Sequence, residues 1–112
     1  MQNLLISESV DLLKILGDTT RLSILQILKN DETSAAELED ELDKSQSTIS
    51  QHIKVLREAD LIEADKDGRV NYYKVKNAKV FKILARIKSF IIKTKKEKLD
   101  ILNKAQINDT LF

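Results

Sequence analysis

The chain has a single histidine, His52, which lies among hydroxyl and amide side chains in the segment SQSTISQHIKVLREADLI, residues 45–62. Serine near histidine raises the question of nucleophilic catalysis, which requires a base that reaches the hydroxyl and a third group that orients the base. The serines here fall on one predicted helix without loops that would form a substrate pocket. We therefore expect no catalytic residue and no enzymatic activity. A metal site is not expected either, because one histidine without cysteine neighbours supplies too few ligands for zinc.

The same residue types are well suited to hydrogen bonding with another molecule. From about Gln46 to Ala59 the segment has helical periodicity, with Ile49, Ile53 and Leu56 on one side. The opposite side presents six polar residues: Gln46, Ser47, Ser50, Gln51, Lys54 and Arg57. Glutamine pairs with adenine, serine with bases or phosphate, and lysine and arginine with phosphate or guanine.

The start of this helix adds two hydroxyl groups to the polar side. Ser45 is the predicted N-cap, and Thr48 lies in the first turn. The backbone amides of a first helical turn have no intrahelical partner and attract phosphate. The side chains and the N-terminus of this helix are therefore suited to binding a phosphate group or another polar partner.

Three helices are predicted before this one. The first covers about residues 4–16 and ends at Gly17, and Asp18 or Thr19 caps the second, TTRLSILQILKN. The second is apolar on more than one side, which indicates the central core helix. The third begins in TSAAELEDEL, where Ser34 and Glu37 fit a capping box.

A hairpin and a long helix are predicted after it. Asp67-Gly68 between two strand-like runs predicts a β-hairpin with a type I′ turn, in which both central residues have positive φ. Arg69 follows this turn at the hairpin tip. From about residue 78 to about residue 104, apolar residues at spacings of three and four predict one long helix.

The order of these elements predicts the fold. Two helices joined by a short turn, the second with a polar face, form a helix-turn-helix, and a hairpin directly afterwards makes the winged version. The predicted fold class is mainly α: a winged helix-turn-helix with five helices and a two-stranded β-hairpin wing, in one domain over residues 1–112. In this fold the second helix of the helix-turn-helix, here about Gln46 to Ala59, enters the major groove of DNA. The wing places Arg69 on phosphate or in the minor groove.

Composition indicates a soluble globular protein, with 42% hydrophobic and 33% charged residues. There is no apolar run of membrane-spanning length and no signal-peptide pattern, so we expect a cytoplasmic protein without a membrane partner. The charges are segregated: residues 31–44 carry a net charge of −6 and residues 74–98 a net charge of +9. Such asymmetry indicates either solvated helix faces or surfaces for an electrostatic partner.

Three motifs together resemble the ArsR/SmtB family of winged-helix repressors: LKILGDTTRLSILQIL, SQSTISQHIKVLREADLI and DGRVNYYKV, all within residues 13–75. The resemblance implies a sequence-specific transcriptional regulator that binds a palindromic operator in double-stranded DNA as a homodimer. It places DNA contacts on six residues: Gln46, Ser47, Ser50, Gln51, His52 and, in the wing, Arg69.

The resemblance also implies that the first and last helices form the dimer interface. The residues assigned to it are Leu5, Val10, Leu13, Val80, Leu84, Ile87, Phe90 and Ile91. A long helix with a single apolar stripe needs a packing partner for an independent physical reason, since the stripe would otherwise face water.

The sequence departs from the family at its metal sites. One family site uses cysteines at the start of the third helix, where this chain has Ser34 and Ala36, and another uses histidine on the last helix, which has none. We expect no metal and no cofactor, and the residues indicate no particular effector. Two positions that are often glycine in the family are Asp43 and Asp60, and aspartate tolerates a left-handed conformation less well than glycine.

Two interpretations stay open on the sequence alone. His52 could contact DNA at the groove edge, act as a pH switch, or pack partly buried between helices. The protein could also be a winged-helix interaction module that uses its acidic third helix or its basic last helix to bind another protein. The acidic third helix would oppose DNA binding if it lay near phosphates.

Overall fold

A computed structural model describes residues 2–96 and residue 100. In this part of the chain there are five helices and three strands: α1 (Gln2–Leu16), α2 (Thr19–Asn30), β1 (Thr33–Ser34), α3 (Ala35–Leu42), α4 (Gln46–Glu58), β2 (Ile62–Asp67), β3 (Val70–Val75) and α5 (Val80–Thr94). The chain forms two compact units, Met1–Asn77 and Ala78–Phe112. The predicted continuation of the last helix to about residue 104 lies largely outside the described residues.

Side-chain caps set the starts of three helices. Asp18 caps α2 by accepting a hydrogen bond from the backbone amide of Arg21 at 3.0 Å. Ser34 and Glu37 form a complete capping box at the start of α3. Ser45 caps α4 by accepting from the backbone amide of Thr48 at 3.2 Å. The predicted caps of α3 and α4 are confirmed, and Asp18 is the cap of α2 rather than Thr19.

Two aspartates with left-handed backbone flank α4. Asp43 ends α3 with φ 52° and ψ 51°, and Asp60 follows α4 with φ 59°. Both are positions at which the family resemblance expects glycine. A side chain with a Cβ is strained in this conformation, and aspartate reduces that strain only in part. The two turns that flank α4 therefore each contain one residue whose backbone conformation lowers the stability of the fold.

The sheet has one strand more than predicted. β1, β3 and β2 form a three-stranded antiparallel sheet in that spatial order, so the expected two-stranded hairpin is corrected to three strands. Thr33 pairs with Tyr73 and Ser34 with Tyr72. A strand of two residues has no alternating pattern that the sequence could show. β1 fixes the start of α3 to the central strand of the wing.

The hairpin is confirmed, but its turn type is corrected. Asp67 pairs with Val70, which leaves Gly68 and Arg69 as the two-residue loop. Of these two only Gly68, at φ 66°, has a positive φ, which is the pattern of a type II′ turn. The predicted type I′ turn centred on Asp67-Gly68 is wrong because cross-strand pairing continues as far as Asp67.

The core of the first unit is formed mainly by α2, α4 and the sheet. Its buried apolar side chains are Leu16, Ile24, Leu25, Leu28, Leu38, Ile49, Ile53, Leu56, Leu61, Ile62 and Tyr73. The contribution of three residues from α2 confirms it as the central core helix. In the second unit, α5 buries Val80 and Leu84. None of the described helices is long and apolar enough to cross a bilayer.

Candidate DNA-binding surface

The second helix of the helix-turn-helix, α4, divides into a buried face and an exposed face. Ile49, Ile53 and Leu56 are buried, as the periodicity predicts. All six residues predicted on the opposite face are exposed: Gln46, Ser47, Ser50, Gln51, Lys54 and Arg57. Amide, hydroxyl and cationic groups thus project together from one side of a helix anchored by its apolar side.

The N-terminus of α4 carries a cluster of hydroxyl groups. The Ser45 hydroxyl donates to the Thr48 hydroxyl at 2.9 Å, and the hydroxyls of Ser45 and Ser47 lie 3.3 Å apart. Ser45 and Ser47 are exposed, while Thr48 is half-buried. Because Ser45 donates its hydrogen to Thr48, the hydroxyls of Ser47 and Thr48 and the unpaired backbone amides of the first turn are the hydrogen-bond donors suited to a phosphate group.

An open cleft connects the exposed side of α4 to the sheet. It has a volume of about 440 Å³ and is lined by Ser50, Ile53, Lys54, Arg57, Glu58 and Tyr73. Lys54 lies 4.0 Å from Glu58 one helical turn along, in an exposed ion pair. Such a pair is weak because water and salt screen it, so Lys54 can exchange Glu58 for a phosphate at small cost.

The wing carries its predicted cation at the tip. Arg69 is exposed in the turn between β2 and β3. Closer to the base of the wing, the Lys74 ammonium lies 2.7 Å from Asp65 and 3.7 Å from Glu63. The hydrogen bond with Asp65 raises the pKa of Lys74 above its usual value. Lys74 therefore offsets two wing carboxylates that would otherwise repel a phosphate backbone.

His52 faces the protein instead of the exposed side of α4. Its side chain is 17% exposed, its Nδ1 lies 3.0 Å from Nη1 of Arg21, and its Nε2 lies 3.9 Å from the Asp18 carboxylate. Arg21 also donates from Nε to the carbonyl of Ile15 at 2.6 Å and from Nη2 to the carbonyl of Lys14 at 2.9 Å. Both ring nitrogens are thus directed toward the start of α2, away from the predicted DNA contacts.

The Arg21 side chain was not identified from the sequence as a functional candidate. Its position three residues after the cap Asp18, in the first turn of the core helix α2, was the available signal. The backbone amide of Arg21 is the main cause that lowers the pKa of Asp18, and the charge of Arg21 acts in the same direction. The junction of α1, α2 and α4 therefore holds a small network of charged and polar groups.

Comparison with known proteins identifies the family of this chain. Residues 16–64 match the model of a helix-turn-helix domain. The chain is 36% identical over 78 residues to the HTH-type transcriptional regulator MJ1325 of Methanocaldococcus jannaschii, a match that covers 69% of this chain and 88% of that relative. It is 39% identical over 67 residues to the arsenical resistance operon repressor of Staphylococcus aureus, covering 60% and 64% of the two chains. The chain belongs to the ArsR/SmtB family of transcriptional regulators. The resemblance inferred from its three motifs is confirmed.

A solved structure supports the fold of this ArsR/SmtB protein. The homodimeric winged helix-turn-helix DNA-binding domain of a possible ArsR-family regulator from Mycobacterium bovis superposes with a TM-score of 0.70 at 22% identity, covering 80% of this chain and 82% of that one. The winged helix-turn-helix prediction is therefore confirmed, with the third strand as its correction.

The two helices assigned to dimerisation by the ArsR/SmtB resemblance have exposed apolar residues. Leu5, Val10, Leu13 and Phe90 are between 41% and 68% exposed, and Leu4, Ile6 and Ile83, which the sequence-based prediction did not include, fall in the same range. Ile87 and Ile91 are half-buried. Val80 and Leu84 are already buried in the single chain, so they have little surface left for a partner.

The family's cysteine positions have a structural role in this ArsR/SmtB protein. The Ser34 hydroxyl accepts from the Glu37 amide at 3.2 Å and donates to the Glu37 carboxylate at 2.9 Å. Ala36 is exposed beside it. Within residues 2–96 and residue 100, no three His, Cys, Asp or Glu side chains form a group that could hold a metal ion.

Proposed function

We propose that this ArsR/SmtB protein is a sequence-specific transcriptional repressor that binds a palindromic operator as a homodimer. The observation that carries the proposal is the exposed polar face of α4, whose N-terminus has free amides and hydroxyls while Ile49, Ile53 and Leu56 hold the helix on the core. That combination is what a helix requires to enter a major groove with its N-terminal residues at the base edges.

The residues of this face have two different roles in the proposal. Gln46 and Gln51 contact base edges, because a glutamine amide can both donate to and accept from adenine. Ser45, Ser47, Thr48, Ser50, Lys54 and Arg57 contact phosphates or the edges of the groove, and Arg69 contacts the backbone from the wing. His52 is left out of the contact set, because both of its ring nitrogens are directed toward α2.

The exposed apolar faces of α1 and α5 support the homodimer. Leu5 on α1 is 68% exposed and Phe90 on α5 is 67% exposed, and large apolar side chains in contact with water are typical of an interface. A two-fold dimer presents two copies of α4, so the operator should be a palindrome with half-sites about one helical turn, roughly 34 Å, apart.

The proposal includes a mode of regulation without the two family metal sites. Cysteine is absent from the whole sequence, and Ser34 is committed to the capping box. The repressor would then respond to a signal of another kind, or bind its operator constitutively, in the cytoplasm where its DNA is found.

Binding-site selection with the purified protein, with and without a metal chelator, tests this function. We expect one palindromic sequence to be enriched in both conditions. Affinity for it should fall steeply with salt, since each phosphate contact releases a counterion. Failure to enrich any sequence, or an affinity that does not depend on salt, would contradict the proposal. A reporter placed behind the selected site should be more active when the protein is deleted.

Three variants separate base contacts from phosphate contacts. Gln46→Ala or Gln51→Ala should reduce the discrimination between bases at one base pair of the operator, by about 1–3 kcal/mol of binding free energy. Arg69→Ala should weaken binding to all sequences. It should also reduce the slope of log affinity against log salt concentration by about one. Lys29→Ala, at the end of α2 and outside both α4 and the wing, is the matched control and should leave both properties unchanged.

A second candidate function is supported by the acidic surface of α3. Asp40, Glu41 and Asp43 are exposed and would suit a basic protein partner. This candidate predicts that replacing these residues with their amides abolishes a protein complex and leaves DNA binding unchanged. In the repressor proposal, the same substitutions should strengthen DNA binding instead, since they remove negative charge from the helix-turn-helix.

A further inference from the structure

One arginine connects three helices of the winged-helix unit. From its place in the first turn of α2, Arg21 donates to the carbonyls of Lys14 and Ile15 at the end of α1, and to Nδ1 of His52 in the middle of α4. The donor–acceptor distances lie between 2.6 and 3.0 Å. The carbonyls at the end of a helix have no intrahelical partner, so Arg21 supplies the hydrogen bonds that α1 lacks there.

The contact with His52 requires one protonation state of the imidazole. A guanidinium has only donors, so Nδ1 must act as the acceptor and the ring must be neutral. The ring hydrogen is then on Nε2, which faces the Asp18 carboxylate at 3.9 Å. A protonated ring has donors at both nitrogens and cannot accept from Arg21.

We propose that Arg21 is a positioning residue for operator recognition, which holds the recognition helix α4 in register with the end of α1 through His52. The inference rests on the proposed function and deepens it. α1 carries the exposed apolar face assigned to the dimer, whereas α4 carries the DNA contacts. The Arg21 bridge therefore connects the helix that sets the distance between the two protomers to the helix that contacts the bases.

A shift of α4 would affect specific and non-specific binding differently. Bidentate contacts with base edges need accurate placement, whereas phosphate contacts are made by long side chains in many positions. Loss of the bridge should therefore reduce the affinity for the operator and leave most of the affinity for unrelated DNA. The ratio of the two affinities measures the positioning effect, while a general loss of fold would lower both.

The experiment measures the affinity of each variant for the selected operator and for an unrelated duplex at pH 7.5. For Arg21→Met and His52→Ala we expect the ratio of the two affinities to fall about tenfold below that of the unaltered protein, the order of one charge-assisted hydrogen bond. His52→Asn keeps an acceptor oxygen near the position of Nδ1, so it should keep the ratio.

The outcomes separate this inference from the proposed function. If the unaltered protein prefers no operator, the proposed function fails and the inference fails with it. If the operator is preferred but Arg21→Met and His52→Ala keep the full ratio, or His52→Asn loses as much of it as His52→Ala, only the inference is overturned. Should Arg21→Met fail to fold, the comparison of His52→Ala with His52→Asn decides alone. Circular dichroism and sedimentation confirm that each variant compared is folded and dimeric.

Discussion

Asp43, in the turn before α4, has a strained left-handed backbone, and substitutions there test how much this strain lowers the free energy of unfolding. Asp43 ends α3 at φ 52° with an exposed side chain. Within the described residues, its carboxylate makes no hydrogen bond or ion pair. The carboxylate also lies at the negative end of the α3 dipole, where it is unfavourable by about 0.3–1 kcal/mol. Replacing Asp43 with glycine should therefore raise the free energy of unfolding.

The change in unfolding free energy follows from three effects, of which the first and third favour glycine and the second disfavours it. A left-handed conformation costs an L-residue about 1–2 kcal/mol, a cost that aspartate and asparagine reduce in part. Glycine avoids this cost but loses about 0.5–1 kcal/mol more backbone entropy on folding. With the charge effect added, we expect Asp43→Gly to stabilise by about 1 kcal/mol and Asp43→Asn by about 0.5 kcal/mol. Asp43→Ala should destabilise by about 0.5 kcal/mol, because it removes the charge but increases the strain.

Urea unfolding followed by circular dichroism at one fixed protomer concentration measures this series, since the stability of the proposed homodimer would depend on concentration. A gain of 1 kcal/mol corresponds to a rise in melting temperature of about 4–8 °C for a domain of this class. Asp40→Gly, an exposed position in the last turn of the same helix, is the control. It also removes a carboxylate but relieves no left-handed strain, so its stability should stay within about 0.5 kcal/mol of the unaltered protein. The backbone argument is refuted if Asp43→Ala is as stable as Asp43→Gly.

Three further predictions concern the cap of α2, the core and the dimer. The Arg21 amide lowers the pKa of Asp18, so this cap stabilises the fold at neutral pH, and its contribution is lost as the pH falls through the pKa of Asp18 in the folded state. Asp18→Ala should cost about 1 kcal/mol of unfolding free energy at pH 7, measured by urea unfolding. Asp18→Asn should make the unfolding free energy depend less on pH in the acid range. Ile49→Ala, at a fully buried position of α4, should cost about 2–5 kcal/mol in the same assay, and Ile49→Val much less. Leu5→Glu should shift sedimentation from dimer to monomer without loss of helical circular dichroism, whereas an unchanged dimer would place the interface elsewhere.

The parts of the fold that depend on local signals were predictable from the sequence. Ser34 and Ser45 mark helix starts through side chains that bond to the backbone three residues later, and the spacing of Ile49, Ile53 and Leu56 fixes which face of α4 is exposed. These signals lie within single turns of the chain. The polar face of α4 followed directly, since it is the side opposite the apolar residues.

The parts that depend on distant partners were not predictable. β1 exists only because Thr33 meets Tyr73 on a strand formed much later in the chain. The turn at Gly68 takes its type from the last cross-strand pair and not from the dipeptide alone. His52 and Arg21 are 31 residues apart, and nothing in either local sequence indicates that they bond. The DNA contact expected of His52 came from the family resemblance, which does not identify the groups that its ring faces.

The capping box at Ser34 sets a folding cost on a thiolate at the same position. The ArsR/SmtB resemblance places one of the family's metal-binding cysteines here, where in this chain the serine hydroxyl starts α3. Changing Ser34 to cysteine would replace a strong cap by a weak acceptor and cost about 1 kcal/mol before a second thiolate existed at Ala36. The first step toward a thiolate pair would therefore lower the stability of the fold.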